Sequence, residues 1–456
     1  MTILVPIEIK VREFNSRSFL ISKLINNTNF DVVIGEKSKV YNLFKHNTGM
    51  YLLSKGGPKP TFRFPKEKYK NNFIGIMDEE GPIMNMDNNE MRTRLHDYII
   101  KNIDDYFFWG DKDLFSAKKY FKRYVNKINN FGHPKYDLLK KENIKFYKTE
   151  INKLKKKYGK FIFIPLSHST DQIVNKDKYT IHNYNIKKNL NKTLKNYKKF
   201  LINDKKNYLK LISFVENLAK KNPNLNIIIR PHPRQKIDLV QKRFSKNFHN
   251  IKVVYEGVIT SWIAACDLYI HSGCTSFLEA ASLQKKIIYV YEKEDYKSSK
   301  MFKDYGYYFE SYKKCLQFLT RKIKYKFFKL NNSSKPKSII TNTKNNKYFY
   351  KDFIRFLKKN YHNKLKPLQI LYSKKNKLEI FYSKCKVLVK KQILKFSTLR
   401  YFLSLINVSY LLTTEYKKKK FPYLNKSELK DSLNRIPTKK FDIIELSENL
   451  FLIKKI

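Results

Sequence analysis

A chain of 456 residues is long for a single domain, so two domains with an appendage are expected. Its 42% hydrophobic and 15% aromatic content is ample for packed cores and excludes an intrinsically disordered chain. The formal charge of +56, from 95 Lys and Arg against 39 Asp and Glu, points toward an anionic partner, yet the excess is spread along the whole chain, as A/T-rich coding would leave it.

The N-terminus, Met-Thr-Ile-Leu-Val-Pro-Ile, lacks the basic and long apolar regions of a signal peptide and reads as a first strand, Ile3–Ile9. Arg12–Ile25 has helical periodicity, and Asp31–Ile34 is a second strand closed by Gly35. Strand, helix and strand at this spacing make a βαβ unit and hence a parallel sheet. Further strands are expected at Asn72–Met77, which runs into Asp78-Glu79-Glu80-Gly81, and at Asp105–Trp109, closed by Gly110. Asn143–Lys160 is a charged helix suited to an interdomain connector. A second sheet then begins at Lys160–Leu166, followed by an amphipathic helix over Tyr208–Lys220. Strands follow at Asn226–Arg230, Ile251–Tyr255, Leu268–His271 and Lys286–Val290, with helices at Ile259–Ala265 and Thr275–Leu283. Residues 331–346 are polar and read as a linker. The Lys-rich remainder shows helical apolar spacing over Ile380–Leu412 and a run of four lysines, Lys417–Lys420. The expected fold class is α/β, with two Rossmann-like domains at 1–145 and 146–325 and a basic, mainly helical extension at 326–456.

The four cysteines, Cys266, Cys274, Cys315 and Cys385, form no Cys-x-x-Cys pair, so neither a zinc site nor a redox motif is indicated, and a reduced, cytoplasmic setting is expected. No run approaches the roughly 20 apolar residues of a membrane span. Membrane contact is expected only as a peripheral association of the basic tail with anionic lipid.

Two segments carry most of the chemistry. Ile227–Pro233 is a buried strand that delivers Arg230 and His232 to the carboxyl edge of a sheet, where open α/β sheets bind ligands. Flanking prolines, Pro231 and Pro233, fix the backbone around the imidazole. The second segment, His271 to Ala280, sets Ser272, Gly273, Cys274, Thr275 and Ser276 at a helix start, an anion cradle without the Gly-Lys-Ser/Thr of a nucleotide hydrolase. Glu279, one turn on, is placed to accept hydrogen bonds from ribose hydroxyls. Together these segments describe a pocket for a phosphorylated, nucleotide-linked ligand, with His232 at a leaving phosphate oxygen. In the first domain the acidic turn at Glu79 and Glu80 offers a carboxylate to deprotonate a hydroxyl, and Gly81 lets the chain turn sharply. A metal site there lacks a His or further Asp at ligand spacing. Trp262 is expected in the core.

Taken in order, Pro6-Ile7-Glu8-Ile9-Lys10, Arg12-Glu13, Asp78-Glu79-Glu80-Gly81, Trp109-Gly110, Gly132-His133-Pro134-Lys135-Tyr136-Asp137, Arg230-Pro231-His232-Pro233 and Trp262 through Ala280 resemble a family of bacterial surface-carbohydrate biosynthesis proteins. The resemblance spans residues 1 to about 300 and implies a glycosyltransferase of GT-B architecture, with two facing Rossmann domains. More distantly, Glu79-Glu80-Gly81, His232-Pro233 and Thr275-Ser276 match in kind and order the acidic-acidic-Gly, His-Pro and Ser/Thr motifs of bacterial sialyltransferases. That likeness implies inverting transfer of a nonulosonic acid or 3-deoxy-octulosonate from a cytidine monophosphate conjugate to a glycan or lipid-linked glycan acceptor. Glu80 or Glu79 would be the base, and His232 would contact the donor phosphate. Arg230, Pro233 and Ser272 through Ser276 would line the donor site. Glu8, Lys10 and Arg12 would lie on the acceptor side, with no metal or cofactor. His133-Pro134 repeats the His-Pro pair, but in the first domain and where the family has Asn before the proline. A uridine-nucleotide transferase, an epimerase or a glycerophosphotransferase would share the fold. A nucleic-acid-binding protein would show a recognised aromatic-basic module, and none is present. A non-catalytic scaffold would not need the acidic and imidazole groups.

Overall fold

The computed structural model describes residues 1–56, 64–79, 81, 95–167, 190–232, 235, 237–245, 248–292, 300–324, 330–368 and 420–456. The chain divides into two compact units, Met1–Leu138 with Ser338–Ile456, and Leu139–Lys337.

The first unit is built on an eight-stranded sheet. Strands β1 (Thr2–Ile7), β2 (Asp31–Glu36), β3 (Met50–Lys55), β4 (Phe73–Met77), β5 (Asp105–Phe108) and β6 (Ile128–Asn130) are parallel. Side chains alternate across the sheet, as a period of two requires. Ile3, Val5 and Ile7 of β1 pack on one face with the helices Lys10–Asn27, Phe349–Tyr361 and Lys426–Asn434, while Leu4 faces the other layer with Val40 and Phe44. Gly75 leaves room above β4: a Cβ there would meet the Tyr51 hydroxyl at 2.1 Å. The Tyr51 ring thereby reaches Asp105.

The second unit holds six parallel strands, β7 (Phe161–Pro165), β8 (Asn226–Arg230), β9 (Ile251–Val253), β10 (Leu268–His271), β11 (Ile287–Val290) and β12 (Tyr307–Phe309), in the order β12-β11-β10-β7-β8-β9. The helices Leu190–Lys221 and Tyr312–Lys324 cover one face over a core of Ile162, Ile164, Leu211, Val215, Ile227, Ile229 and Leu319. Trp262 stacks on Phe163 from the other face, with ring centroids 6.1 Å apart, and its indole N–H donates to the Glu256 carbonyl. The charged helix, Lys148–Tyr158, packs on the helix Ile259–Ala265 within this unit.

The C-terminal residues differ from the expected separate extension. The last two strands, β13 (Phe441–Ser447) and β14 (Leu450–Lys455), form a hairpin, and β14 pairs antiparallel with β2 to complete the first sheet, β13-β14-β2-β1-β3-β4-β5-β6. Alternation of Leu450 and Leu452 against Phe451 and Ile453 buries both faces of β14. Gly35 is therefore no terminator. It lies within β2 because the backbone of Asn449 passes where a Cβ would stand, 2.2 Å from that carbonyl oxygen. The polar stretch expected as a linker also differs: Thr341, Asn342 and Thr343 are buried in the first unit. The Ile380–Leu412 spacing and Lys417–Lys419 lie outside the described residues.

Candidate functional site

In the second unit the strand order reverses between β7 and β10. β8 and β9 follow on one side of β7, and β11 and β12 lie beyond β10 on the other. Ligands of open α/β sheets bind outside the carboxyl ends at such a switch point. Here the Ser167 hydroxyl, just past β7, donates to the carbonyl of Ser272, just past β10, at 2.9 Å, and bridges the switch point. His271 closes β10 as a buried ring between Phe277 and Tyr289, at centroid distances of 5.5 and 5.1 Å. Burial pushes its pKa down to about 3, so it is neutral. Its Nδ1 accepts the Gly273 N–H at 3.3 Å, which places the remaining proton on Nε2. Gly273 holds φ at +98°, a conformation that side-chain-bearing residues rarely adopt.

The predicted donor residues separate into those at this edge and those turned inward. Ser272, Gly273 and the exposed Thr275 lie on the turn. The Ser276 hydroxyl is buried against the Tyr269 hydroxyl at 2.7 Å and the Cys274 thiol at 3.0 Å, and burial raises the Cys274 pKa. The helix after the turn runs only Phe277–Ser282, so its dipole contributes little to anion binding. Glu279 does not face the edge as a ribose acceptor would. It is buried, and its Oε2 accepts the Thr260 hydroxyl, tying two helices together. Arg230 donates through Nη1 to the Glu256 carbonyl and through Nη2 to the Gly257 carbonyl, at 2.8 and 2.7 Å, and lies over the Tyr255 ring. It anchors the turn after β9 instead of reaching outward. His232 is half-buried just past β8. Its N–H donates to Gln235 Oε1 and its carbonyl accepts the Gln235 N–H, both at 2.8 Å, so the turn is locked reciprocally. Pro233 lies outside the described residues.

In the first unit Asp78 and Glu79 follow β4 at the carboxyl edge. Glu79 is buried, with Oε1 accepting Arg17 Nη2 at 2.6 Å and Oε2 lying 3.2 Å from His133 Nε2, off the line of a well-aligned hydrogen bond. Burial would raise its pKa, but the Arg17 guanidinium and the His133 ring prevail and hold the carboxyl well below the usual range. Glu13 is the opposite case: burial and the charge of Glu79 raise its pKa, against the pull of Arg12. Trp109 covers this cluster, its ring tilted 39° against His133 at a centroid distance of 4.7 Å and its indole N–H donating to the Asp78 carbonyl. Glu80 lies outside the described residues.

Arg17, Glu13 and Trp109 thus belong to the environment of the acidic turn although they were not among the predicted site residues. The i, i+4 spacing of Glu13 and Arg17 was the available signal. Of the expected acceptor-side residues, Glu8 sits among Lys37, Lys55 and Lys420. Lys10 Nζ donates to the Tyr423 carbonyl and Glu428, and Arg12 donates to Glu13.

No protein-family model matches the chain, and no curated protein matches its sequence. Solved structures do match. The UDP-GlcNAc 2-epimerase of Methanocaldococcus jannaschii, in complex with UDP-GlcNAc and UDP, is 12% identical, with 79% of this chain and 100% of that chain covered and a TM-score of 0.51. The UDP-GlcNAc 2-epimerase of Neisseria meningitidis bound to UDP-GlcNAc is 13% identical over 79% and 100% of the two chains, with a TM-score of 0.48. The wall teichoic acid polymerase TagF is 12% identical over 80% and 90%, at 0.48. The M. jannaschii likeness places the chain in the expected fold class, α/β with two Rossmann-like domains of the GT-B type. Among the described residues no helix is long and apolar enough to cross a membrane.

Proposed function

We propose that this protein is a glycosyltransferase of bacterial surface-polysaccharide assembly that takes a sugar from a nucleotide-activated donor held by the second unit. The observation that carries this reading is the switch point between β7 and β10, where the Ser167 hydroxyl bridges to the Ser272-Gly273 turn, with His232 past the end of the neighbouring strand β8. That is where a nucleotide phosphate would sit. The M. jannaschii epimerase structure carries UDP-GlcNAc and UDP, which supports a nucleotide sugar as the ligand class.

The finer reading is inverting transfer from a cytidine monophosphate-linked nonulosonic acid or similar keto-sugar to a glycan or lipid-linked glycan. The acceptor oxygen attacks the anomeric carbon, a carboxylate takes the hydroxyl proton, and the anomeric carbon–oxygen bond breaks with its electron pair leaving on the phosphate. His232 and the hydroxyls of Ser272 and Thr275 would stabilise that departing charge, with no cofactor invoked. Glu79 is unsuited as the base: it is closed off and paired with Arg17, and a carboxylate held so far below its ordinary pKa is a weak proton acceptor. Glu80 is therefore assigned that role. Association of the basic tail with an anionic membrane surface belongs to the same reading.

Thermal-shift titration with cytidine and uridine nucleotides tests the donor. Cytidine monophosphate should raise the melting temperature of the wild type and much less that of His232→Ala. A response to uridine nucleotides alone would replace the donor by a UDP-sugar, as in the epimerases. Glu80→Gln should abolish transfer while leaving nucleotide binding intact, and unchanged cellular glycan in that variant would rule out an enzymatic role.

A further inference from the structure

β12 is an outer strand of the second sheet, and its three residues divide between the two faces. Tyr307 and Phe309 pack on Phe318 of the helix Tyr312–Lys324, with ring centroids 5.8 and 5.0 Å apart. Tyr308 therefore faces the opposite side, where it is 50% exposed. Ser272, Tyr291 and Glu310 follow the carboxyl ends of β10, β11 and β12 in turn, because His271 pairs with Tyr289 and Val290 with Phe309. Adjacent strands lie about 4.8 Å apart, so Glu310 stands about 10 Å along this edge from the Ser272-Gly273 turn.

The groups at this corner are held from behind. Tyr289 carries the ring stack from His271 on to Tyr291, whose ring lies 4.9 Å away at 18°. Phe302, buried against His271, Phe277 and Tyr289, fixes the short helix Lys300–Lys303. Lys303 Nζ then lies 5.1 Å from the ring centroids of both Tyr291 and Tyr308, and it donates to Glu310 Oε1 at 3.1 Å. The same oxygen accepts the Tyr291 hydroxyl at 2.6 Å.

Tying β12 to its neighbours requires none of these groups to reach solvent, yet the side chains of Lys303 and Glu310 are 31 and 43% exposed. An exposed aromatic face beside an accessible carboxylate and ammonium suits a sugar ring. The C–H face of such a ring packs on the aromatic side chain, while its hydroxyls donate to the carboxylate and accept from the ammonium. A phosphate would be repelled by Glu310, and a purely apolar ligand would desolvate both charges without matching them.

We infer that Tyr308, Glu310 and Lys303 form the subsite for the sugar that the donor carries, with Tyr308 as its platform and Glu310 as the acceptor for its hydroxyls. This rests on the proposed transferase reading and adds the residues that select the sugar. A phosphate at the Ser272-Gly273 turn with one pyranose ring beyond it would fill the edge as far as Glu310.

The test is isothermal titration calorimetry of nucleotide sugars against their bare nucleotides, with cytidine monophosphate N-acetylneuraminate against cytidine monophosphate, and UDP-GlcNAc against UDP. Wild type should bind at least one nucleotide sugar at least tenfold more tightly than its nucleotide. Tyr308→Ala should remove most of that preference, and so should Glu310→Gln, which keeps an acceptor for Tyr291 and Lys303. Both variants should leave bare-nucleotide affinity unchanged. A preference retained in both variants, an equal loss for nucleotide and nucleotide sugar, or a wild type that binds the nucleotides with no preference in either pair would overturn the subsite. Should Tyr308→Ala fail to fold, Glu310→Gln carries the decision. Saturation-transfer difference NMR with free N-acetylneuraminate and free GlcNAc reads the subsite without the nucleotide. A signal is expected from wild type for at least one sugar and should be lost in the variants. That signal without any nucleotide binding would strike the donor reading and leave the subsite standing, whereas no sugar signal and no sugar preference would strike the subsite.

Discussion

Asn342 grips the backbone of His133 at both ends: its Oδ1 accepts the His133 N–H at 3.1 Å and its Nδ2 donates to the His133 carbonyl at 2.9 Å. Nδ2 also donates to Asp137 Oδ1 at 2.6 Å, and Asp137 accepts the Phe349 and Tyr350 N–H groups that open the next helix. Gly132, at φ +85°, leaves the space, since a Cβ there would stand 2.0 Å from Asn342 Oδ1. The motif Gly132 to Asp137 is thus the socket for the returning chain, and its His133 ring carries the connection on to Glu79. Asn342→Ala would strand buried groups on both sides. It should cost about 3 kcal/mol, read as a lowered denaturant midpoint with an unchanged slope. A loss below about 1 kcal/mol would show that the socket does not hold the return segment.

Arg17 and Glu79 form an ion pair with both side chains almost wholly buried. Removing one partner leaves the other as an uncompensated charge, so Arg17→Met should cost roughly 3–5 kcal/mol, and adding Glu79→Gln should recover much of it. The pH dependence has a definite sign. The folded pKa of Glu79 is depressed, so its contribution is present above the ordinary carboxylate value and is lost only as pH falls through the folded one. In Arg17→Met the largest opposing charge is gone and burial pushes the pKa up, so that variant should gain more stability than the wild type as pH falls from 7 toward 5. Parallel pH profiles for the two proteins would contradict the pairing.

The legible parts of the sequence were those governed by local rules. β8 and β10 and the helix Ile259–Ala265 fall on the expected residues because each is a short apolar run bounded by turn residues. β3 was not legible, because Met50–Lys55 is flanked by polar segments and takes its register from β1 and β4. The C-terminal hairpin was hidden for the same reason: pairing of β14 with β2 joins residues more than 400 positions apart, and no local pattern reports that. The site divides similarly. The positions of Ser272, Gly273 and His232 at a carboxyl edge follow from strand ends, whereas the commitments of Arg230 and Glu279 to neighbouring turns and helices are tertiary. The polar composition of 331–346 suggested a linker, but Thr341, Asn342 and Thr343 within it satisfy buried partners.

Gly273 tests the donor edge without touching a side chain. Its φ of +98° suits glycine alone, and its N–H is held by His271 Nδ1. Gly273→Ala should cost about 1–3 kcal/mol in stability and, by moving the turn beside Ser272, reduce nucleotide affinity more than tenfold. Retained affinity in a folded variant would remove the turn from the donor site.

Asp105 gives a prediction at the opposite, amino edge of the first sheet. It opens β5, and its Oδ2 accepts the Tyr51 hydroxyl at 2.9 Å and the Tyr361 hydroxyl at 2.6 Å, joining the sheet to the helix Phe349–Tyr361. Burial pushes its pKa up to about 7. The two tyrosine hydrogen bonds and Lys127 oppose the shift, and Asp104, itself paired with Lys66, adds to it. For an acid the sign is the reverse of the Glu79 case. Between about pH 4 and 7 the folded protein binds a proton that the unfolded chain has released, so stability falls as pH rises through that window. Three pH units at about 1.4 kcal/mol each make the loss about 4 kcal/mol by pH 7. Asp105→Asn keeps an acceptor for both tyrosines and removes the titration. It should therefore be more stable than wild type at pH 8, converge with it near pH 4, and leave nucleotide binding unchanged because the second unit is untouched. Urea unfolding of both proteins at pH 4.5, 6 and 8 measures this directly, and equal slopes of stability against pH would show that Asp105 is ionised in the folded protein throughout.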